Sequence, residues 1–174
     1  GQIVCYVDIR QPNITSAMVL RPNSAGELDW APTATVSRAM GTFPSKCTIK
    51  YDPDVLTSID DCIFVVRYSG TPGGLVVVPL EELAGRTLSV TGEGYTKVTV
   101  ETTENESFAF NYLTKINGIP MADPEEIQLP ADSGGNIYFC GADSIEINSQ
   151  VTLQSPSIRA YTKITFSREA GTPY

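Results

Sequence analysis

Ser157-Ile158-Arg159-Ala160-Tyr161-Thr162-Lys163-Ile164-Thr165-Phe166-Ser167 places Ile158, Ala160, Ile164 and Phe166 on one side and Arg159, Tyr161, Lys163 and Thr165 on the other. A side-chain period of two is that of a strand with one face buried. The same alternation recurs upstream. Ile3, Cys5, Val7 and Ile9 alternate with more polar neighbours until Gln11-Pro12-Asn13. Cys47, Ile49 and Tyr51 oppose Lys46, Thr48 and Lys50, and Tyr51-Asp52-Pro53-Asp54 turns the chain. Val98 and Val100 alternate with Lys97, Thr99 and Glu101, and Phe108, Phe110 and Tyr112 with Ala109, Asn111 and Leu113. Thr87 to Val90, Ile137 to Cys140 after Asp132-Ser133-Gly134-Gly135, and Gln150 to Leu153 complete the candidates. Strand content follows from this alternation together with β-branched and aromatic residues.

Asp61 to Tyr68 breaks the pattern, because Cys62-Ile63-Phe64-Val65-Val66 is continuously apolar. An unbroken run of that length predicts a central strand covered on both faces. Gly70-Thr71-Pro72-Gly73-Gly74 then makes a tight corner before the apolar Leu75 to Val78. Helical material is slight. Pro79 to Ala84 suits one or two turns closed by Gly85 in the left-handed region, with Glu81 and Glu82 near its start. Thr33 to Met40 is a second short candidate, capped by Thr33 and ended by Gly41, although Thr35 and Val36 form helices poorly. Asn117 to Ser133, with Pro120, Pro124 and Pro130, is expected as a long surface loop.

Strands over the whole length, with no repeat or linker, predict one domain spanning 1–174. The expected fold is all-β: an eight-stranded antiparallel jelly-roll sandwich with one or two short helices. An immunoglobulin-like sandwich is disfavoured, since Trp30 precedes the expected strands and no Cys-Trp-Cys order occurs. A chain of 174 residues is long enough to fold without disulfide or metal. No apolar run approaches the roughly 20 residues that span a bilayer, and Gly1 to Arg10 is short and polar for a signal segment, so a soluble chain is expected.

The chain contains no histidine, so Ser-His-Asp and Cys-His nucleophile sets, imidazole metal ligands and the usual neutral-pH proton shuttle are excluded. Paired carboxylates remain: Asp52 with Asp54, Asp60 with Asp61, and Glu81 with Glu82. Each falls at a turn or helix start, where solvated acids are expected, and Asp52 and Asp54 lack the glycine and distal glutamate of an EF-hand loop. Gly70 to Gly74 lacks the Lys-Ser/Thr of a phosphate loop. Cys5, Cys47, Cys62 and Cys140 match no metal or redox spacing. Cys47, Cys62 and Cys140 lie in apolar strand patterns as small buried hydrophobes, with one bridge as the alternative. Asn13-Ile14-Thr15 and Asn105-Glu106-Ser107 have glycosylation spacing but nothing marks a secretory route. Net charge is −8 and the 12 Lys and Arg residues are scattered, so tight phosphate binding is not expected.

Phe64-Val65-Val66-Arg67-Tyr68-Ser69-Gly70-Thr71-Pro72-Gly73 joins an apolar strand to an aromatic residue and a Pro-Gly corner, and Glu106 to Tyr112 ends in hydrophobic-aromatic steps. A glycine-led strand, Gly134 to Ala142, then precedes the long strand Ser157 to Ser167. In this order the features resemble the capsid jelly roll of picorna-like viruses over about Thr33 to Arg168. The small single jelly-roll subunits of plant secoviruses, in comoviruses and cheraviruses, are the nearest comparison. Against that pattern the chain is expected to be shorter than most picornavirus subunits and to have no extended N-terminal arm.

The resemblance implies a structural subunit that assembles with sister subunits into an icosahedral virion around a positive-sense RNA genome, in the host cytoplasm. The missing histidine, the absence of metal spacing and of a membrane-length apolar run, and the scattered cations lead to the expectation of no enzymatic role, no catalytic residue, no cofactor or metal, no membrane partner, and weak direct contact with any enclosed RNA. Gly1-Gln2 at the start suits a product cut from a polyprotein, with Gly1 and Tyr174 as cleavage termini; removal of an expression tag leaves glycine too. Asn117 to Ser133, Asp143 to Asn148 and Glu169 to Tyr174 are the candidate contact regions. The rivals are a jelly-roll lectin or adhesin-type binding module and a carboxylate hydrolase.

Overall fold

A computed structural model of the chain describes residues 1–8, 14–39, 44–68, 74–89, 96–100, 106–126, 135–140, 142–153 and 159–167. These form fourteen strands. The first seven are β1 (Gln2–Asp8), β2 (Ile14–Pro22), β3 (Leu28–Trp30), β4 (Ala34–Arg38), β5 (Ser45–Tyr51), β6 (Ile63–Tyr68) and β7 (Gly74–Pro79). The rest are β8 (Thr87–Ser89), β9 (Thr96–Val100), β10 (Glu106–Ile116), β11 (Ile119–Glu126), β12 (Gly135–Cys140), β13 (Ser144–Leu153) and β14 (Arg159–Ser167).

The strands divide into a four-stranded sheet, ordered β4-β5-β1-β8, and a ten-stranded sheet, ordered β14-β13-β10-β11-β3-β2-β6-β7-β12-β9. Both are mixed, since β1 with β8, β11 with β3, and β12 with β7 run parallel. This overturns the expected eight-stranded antiparallel jelly roll. The chain is all-β, but its layers are unequal. Alternation reveals which face a residue occupies and nothing about the direction of the neighbouring strand, so the parallel pairings were not legible.

Two apolar clusters organise the layers. The first lies between the sheets, built from Ile3, Cys5 and Val7 of β1, Cys47 and Ile49 of β5, Val19 of β2, Phe64 and Val66 of β6, and Val76 and Val78 of β7. The second lies on the opposite face of the same middle strands. Leu20 of β2, Val65 of β6, and Leu75 and Val77 of β7 meet Leu113 and Ile116 of β10, Met121 of β11, and Ile145 and Ile147 of β13. Strands remote in the sheet order thus pack against each other, so the ten-stranded sheet curls into a partial half-barrel. The continuous apolar runs of β6 and β7 follow directly, because successive residues feed alternate clusters and neither face meets water.

Neither expected helix forms. Thr33 to Met40 contains the strand β4, antiparallel to β5 from Ala34↔Tyr51 to Arg38↔Cys47, in keeping with the β-branched Thr35 and Val36. The Thr33 hydroxyl caps nothing and is buried without a hydrogen bond. Pro79 to Ala84 makes a single 3₁₀ turn, Leu80–Glu82, with Leu83 N donating to Leu80 O at 3.2 Å. Gly85 follows at φ +68°, the left-handed position read from the sequence. Leu80 and Leu83 anchor this turn in the first cluster.

Asn117 to Ser133 is not a loop over its first half. Asn117 (φ 51°) and Gly118 (φ 77°) form a two-residue turn with Ile116 opposite Ile119, and β11 runs back antiparallel to β10. Positive φ at both turn residues is the backbone twist that tight hairpins require, and Asn-Gly supplies it at least cost. Asn117 Oδ1 also accepts from Asp143 N at 2.7 Å and Ser144 N at 3.2 Å, tying the turn to the start of β13. Asp143 to Asn148, expected at the surface, is mostly strand, with Ile145 and Ile147 buried. Trp30, expected ahead of the strands, lies in β3. The Gly70 to Gly73 corner, the later part of the proline-rich segment and Glu169 to Tyr174 lie outside the described residues.

Candidate functional site

The half-barrel has a seam where β3 gives out. β3 is three residues long and is cut at both ends by local chemistry. At its start, Asn23 organises the turn from β2: its Oδ1 accepts from Ala25 N at 2.9 Å and Glu27 N at 3.0 Å, and Gly26 sits at φ +77°. At its end, Ala31 N donates to Val19 O at 2.9 Å, after which Pro32 offers no amide hydrogen and the chain crosses to β4 in the other sheet. β3 pairs with β2 only from Leu20↔Trp30 to Pro22↔Leu28, and with β11 only at Met121↔Leu28. Past that point β2 and β11 part.

The gap between them is a groove of about 430 Å³, within the roughly 300–1,000 Å³ range of ligand clefts. Its floor is apolar: Leu20, Leu28 and Met121 belong to the second cluster, and Met18 packs against it. Its rim is acidic, with Asp29 on β3 and Asp123 and Glu125 on β11. Met121, Asp123 and Glu125 of β11 all line the groove, so one strand supplies both apolar and acidic lining, across the stretch where its register with β10 shifts. Trp30 also lines the groove and is 60% exposed, the most exposed large apolar side chain among the described residues.

Two cations stand near these acids, since Arg21 of β2 is directly opposite Asp29 in the β2–β3 register. Arg67 of β6 lies 3.5 Å from Glu125, and its Nε donates to Thr15 Oγ1 at 3.1 Å while that hydroxyl donates to Arg67 O at 3.2 Å. Asp29 is oriented by its own strand, its Oδ1 accepting from Trp30 N at 2.8 Å. Such a lining can desolvate an aliphatic group on its floor, offer the exposed indole to a cation, and attract that cation with carboxylates.

The carboxylate pairs read from the sequence are placed elsewhere. Asp52 shapes a turn, its Oδ1 accepting from Asp54 N at 2.9 Å and its carbonyl from Leu56 N at 2.8 Å. Asp60, Asp61, Glu81 and Glu82 are all exposed. The negative charge of Asp60 beside Glu81, more than that of Glu82, pushes the Glu81 carboxyl above its ordinary value. The fold thus brings Asp60 to Glu81, a pairing across elements that neighbouring positions in the sequence do not reveal. No group of three or more Cys, Asp or Glu side chains suited to a metal occurs among the described residues.

Cys5, Cys47 and Cys62 are buried free thiols in the first cluster. Cys5 and Cys47 stand directly opposite each other on β1 and β5. The hydrogen bond to Cys47, then burial, push the Cys5 thiol up so that it keeps its proton. Of the two expected cleavage termini, Gly1 donates its ammonium to Tyr51 O at 2.8 Å, and Tyr174 lies outside the described residues.

The seam was missed in the sequence because its strands do not alternate cleanly. Ala17-Met18-Val19-Leu20 on β2 serves both clusters, and β11 carries two prolines. The available signal was Asn117-Gly118 between isoleucines, which marks a hairpin and hence a strand through Met121. Comparison with known proteins returns no matching family model and no match among curated sequences or solved structures. No helix among the described residues is long and apolar enough to cross a membrane.

Proposed function

We propose that the chain is a structural subunit whose work is to join other protein chains, and that the assembly it builds is the coat of a positive-sense RNA virus. One observation carries the first half. β14 is nine residues long and pairs with β13 at every position from Ser144↔Ser167 to Thr152↔Arg159, while among the described residues its other side has no strand partner. Natural folds keep edge strands short or cover them, because a row of unpaired amides and carbonyls recruits another strand. A long outer edge on a large sheet suits a protein whose edge is covered by a neighbour. Many modest contacts of this kind, repeated by symmetry, close a shell.

The viral half rests on the resemblance of Phe64 to Gly73, Glu106 to Tyr112 and Gly134 to Ser167 to picorna-like capsid subunits. It survives the loss of the jelly roll only as a likeness of motifs. The lectin or adhesin reading draws on the groove and predicts a small defined oligomer. Negative-stain electron microscopy of the native material separates them: virion-sized particles containing RNA are expected. Small oligomers that stay small at high concentration overturn the shell reading.

A further inference from the structure

We infer that the seam between β2 and β11 is a docking groove for a segment of a partner protein that presents an aliphatic side chain beside lysine or arginine. The inference stands apart from the shell reading, since it concerns what the groove accepts and not what is built around it. The apolar half of the signature is set by Leu20, Leu28 and Met121, each nearly inaccessible yet forming the groove floor, so a side chain that enters is desolvated on several sides at once. Met18 and Met121 are unbranched and polarisable, which lets one groove fit aliphatic groups of different shape.

The charged half is set by Asp29, Asp123 and Glu125. Arg67 serves Glu125 and Arg21 stands in register opposite Asp29, while among the described residues no ion pair joins Asp29 or Asp123. Asp123 and Glu125, on the same strand as Met121, line the groove beside its apolar floor and attract a cation next to the group that fills it. Trp30 adds an exposed indole face, on which a guanidinium or ammonium is attracted by the ring quadrupole. A second copy of this chain is the poorer occupant of this groove, because its 12 Lys and Arg residues are scattered and form no cationic segment to meet the acids. Recognition falls to side chains because Pro120 and Pro124 deprive β11 of two ladder donors.

Trp30 is the sole tryptophan, so intrinsic fluorescence reports on the groove directly. The probe is an acetylated hexapeptide of alternating lysine and leucine, with alternating glutamate and leucine as its charge-reversed control. A saturable blue shift of Trp30 emission is expected with the lysine peptide alone, weakened by raising the salt concentration. The double variant Asp29→Asn with Asp123→Asn keeps both side-chain shapes and the acceptor for Trp30 N. It is expected to weaken binding about fivefold, the loss of two exposed ion pairs, with an unchanged circular dichroism spectrum. Equal binding of both peptides, binding indifferent to the double variant, or no shift with either peptide overturns the inference. So does a Trp30 shift produced by raising the protein concentration alone, which assigns the seam to a second copy.

Discussion

The two apolar clusters share β2, β6 and β7 yet differ in kind. Between the sheets, the first is sealed by small and rigid groups: Ala31 and Ala34 at the crossover, Cys5, Cys47 and Cys62, and the β-branched residues Val66, Val76 and Val78, all buried. The second, inside the half-barrel, opens at the seam, where Met18 and Met121 are lined up with acids and an exposed indole. Among the described residues, the first keeps its buried side chains between the sheets, whereas Leu20, Leu28 and Met121 of the second line a groove. Because successive residues of β6 alternate between them, with Phe64 and Val66 on one side and Val65 on the other, a change in either core is felt by the same backbone.

The sharpest way to break that distinction is to cut a hole in each core. Phe64 is fully buried among first-cluster side chains on a central strand, so Phe64→Ala leaves a cavity that rigid neighbours cannot refill. A loss of about 3–5 kcal/mol is expected. Met121 lies at the seam, where water or a neighbouring methionine can occupy the space it vacates, and Met121→Ala is expected at the low end of its class, about 2 kcal/mol. Urea unfolding followed by far-ultraviolet circular dichroism measures both. Equal losses would mean the second core is as closed as the first and that the groove is no feature of the protein in solution.

The same contrast explains what the sequence disclosed. β6 was legible because Ile63 to Val66 has no polar member, and only a strand covered on both faces tolerates that. β1, β5 and β14 were legible because one face of each alternates cleanly. The seam was illegible for the converse reason. β2 begins with Ile14-Thr15-Ser16-Ala17-Met18, where Thr15 is exposed and the other four are half buried without period, since the strand loses its partner on one side partway along. β4 looked helical because Ala34 and Ser37 to Met40 tolerate either state, and the ladder with β5 decided the matter. Tertiary pairing overrides local propensity in such segments. The acidic rim draws on Asp29 and Asp123, 94 positions apart, which nothing short of the β3–β11 pairing brings together.

A smaller effect probes how dry the first core is. Cys5 faces Cys47 across the β1–β5 pair, with both side chains wholly buried. Cys5→Ser puts a hydroxyl where a weakly polar thiol sat, and an oxygen is a poor match for the surrounding Val7, Ile49 and Leu88. The expected cost is about 1–3 kcal/mol, the desolvation of an incompletely satisfied polar group. Cys5→Ala, with no polar atom, is expected to cost less. A serine accommodated without loss, read from the urea midpoint, would show water reaching this layer and would remove the contrast between a sealed and an open core.

The smallest effect belongs to the surface turn that closes the first core. Leu80 and Leu83 reach inward while Glu81 and Glu82 stay outside, and Asp60 crowds Glu81 from the adjoining segment. The folded protein raises the Glu81 carboxyl above its unfolded value, so the folded state favours the protonated form. The stabilising contribution is therefore complete below the ordinary carboxylate range, about pH 4, and is lost as pH rises through the raised value. Glu81→Gln removes the repulsion altogether. The variant is expected to melt slightly higher than the parent at pH 7, by a margin that shrinks with added salt and vanishes below about pH 4. A thermal scan at the two pH values decides it. If the variant melts lower at pH 7, Glu81 makes a favourable contact that outweighs Asp60, and the turn is held by its charged face as well as by the two leucines beneath it.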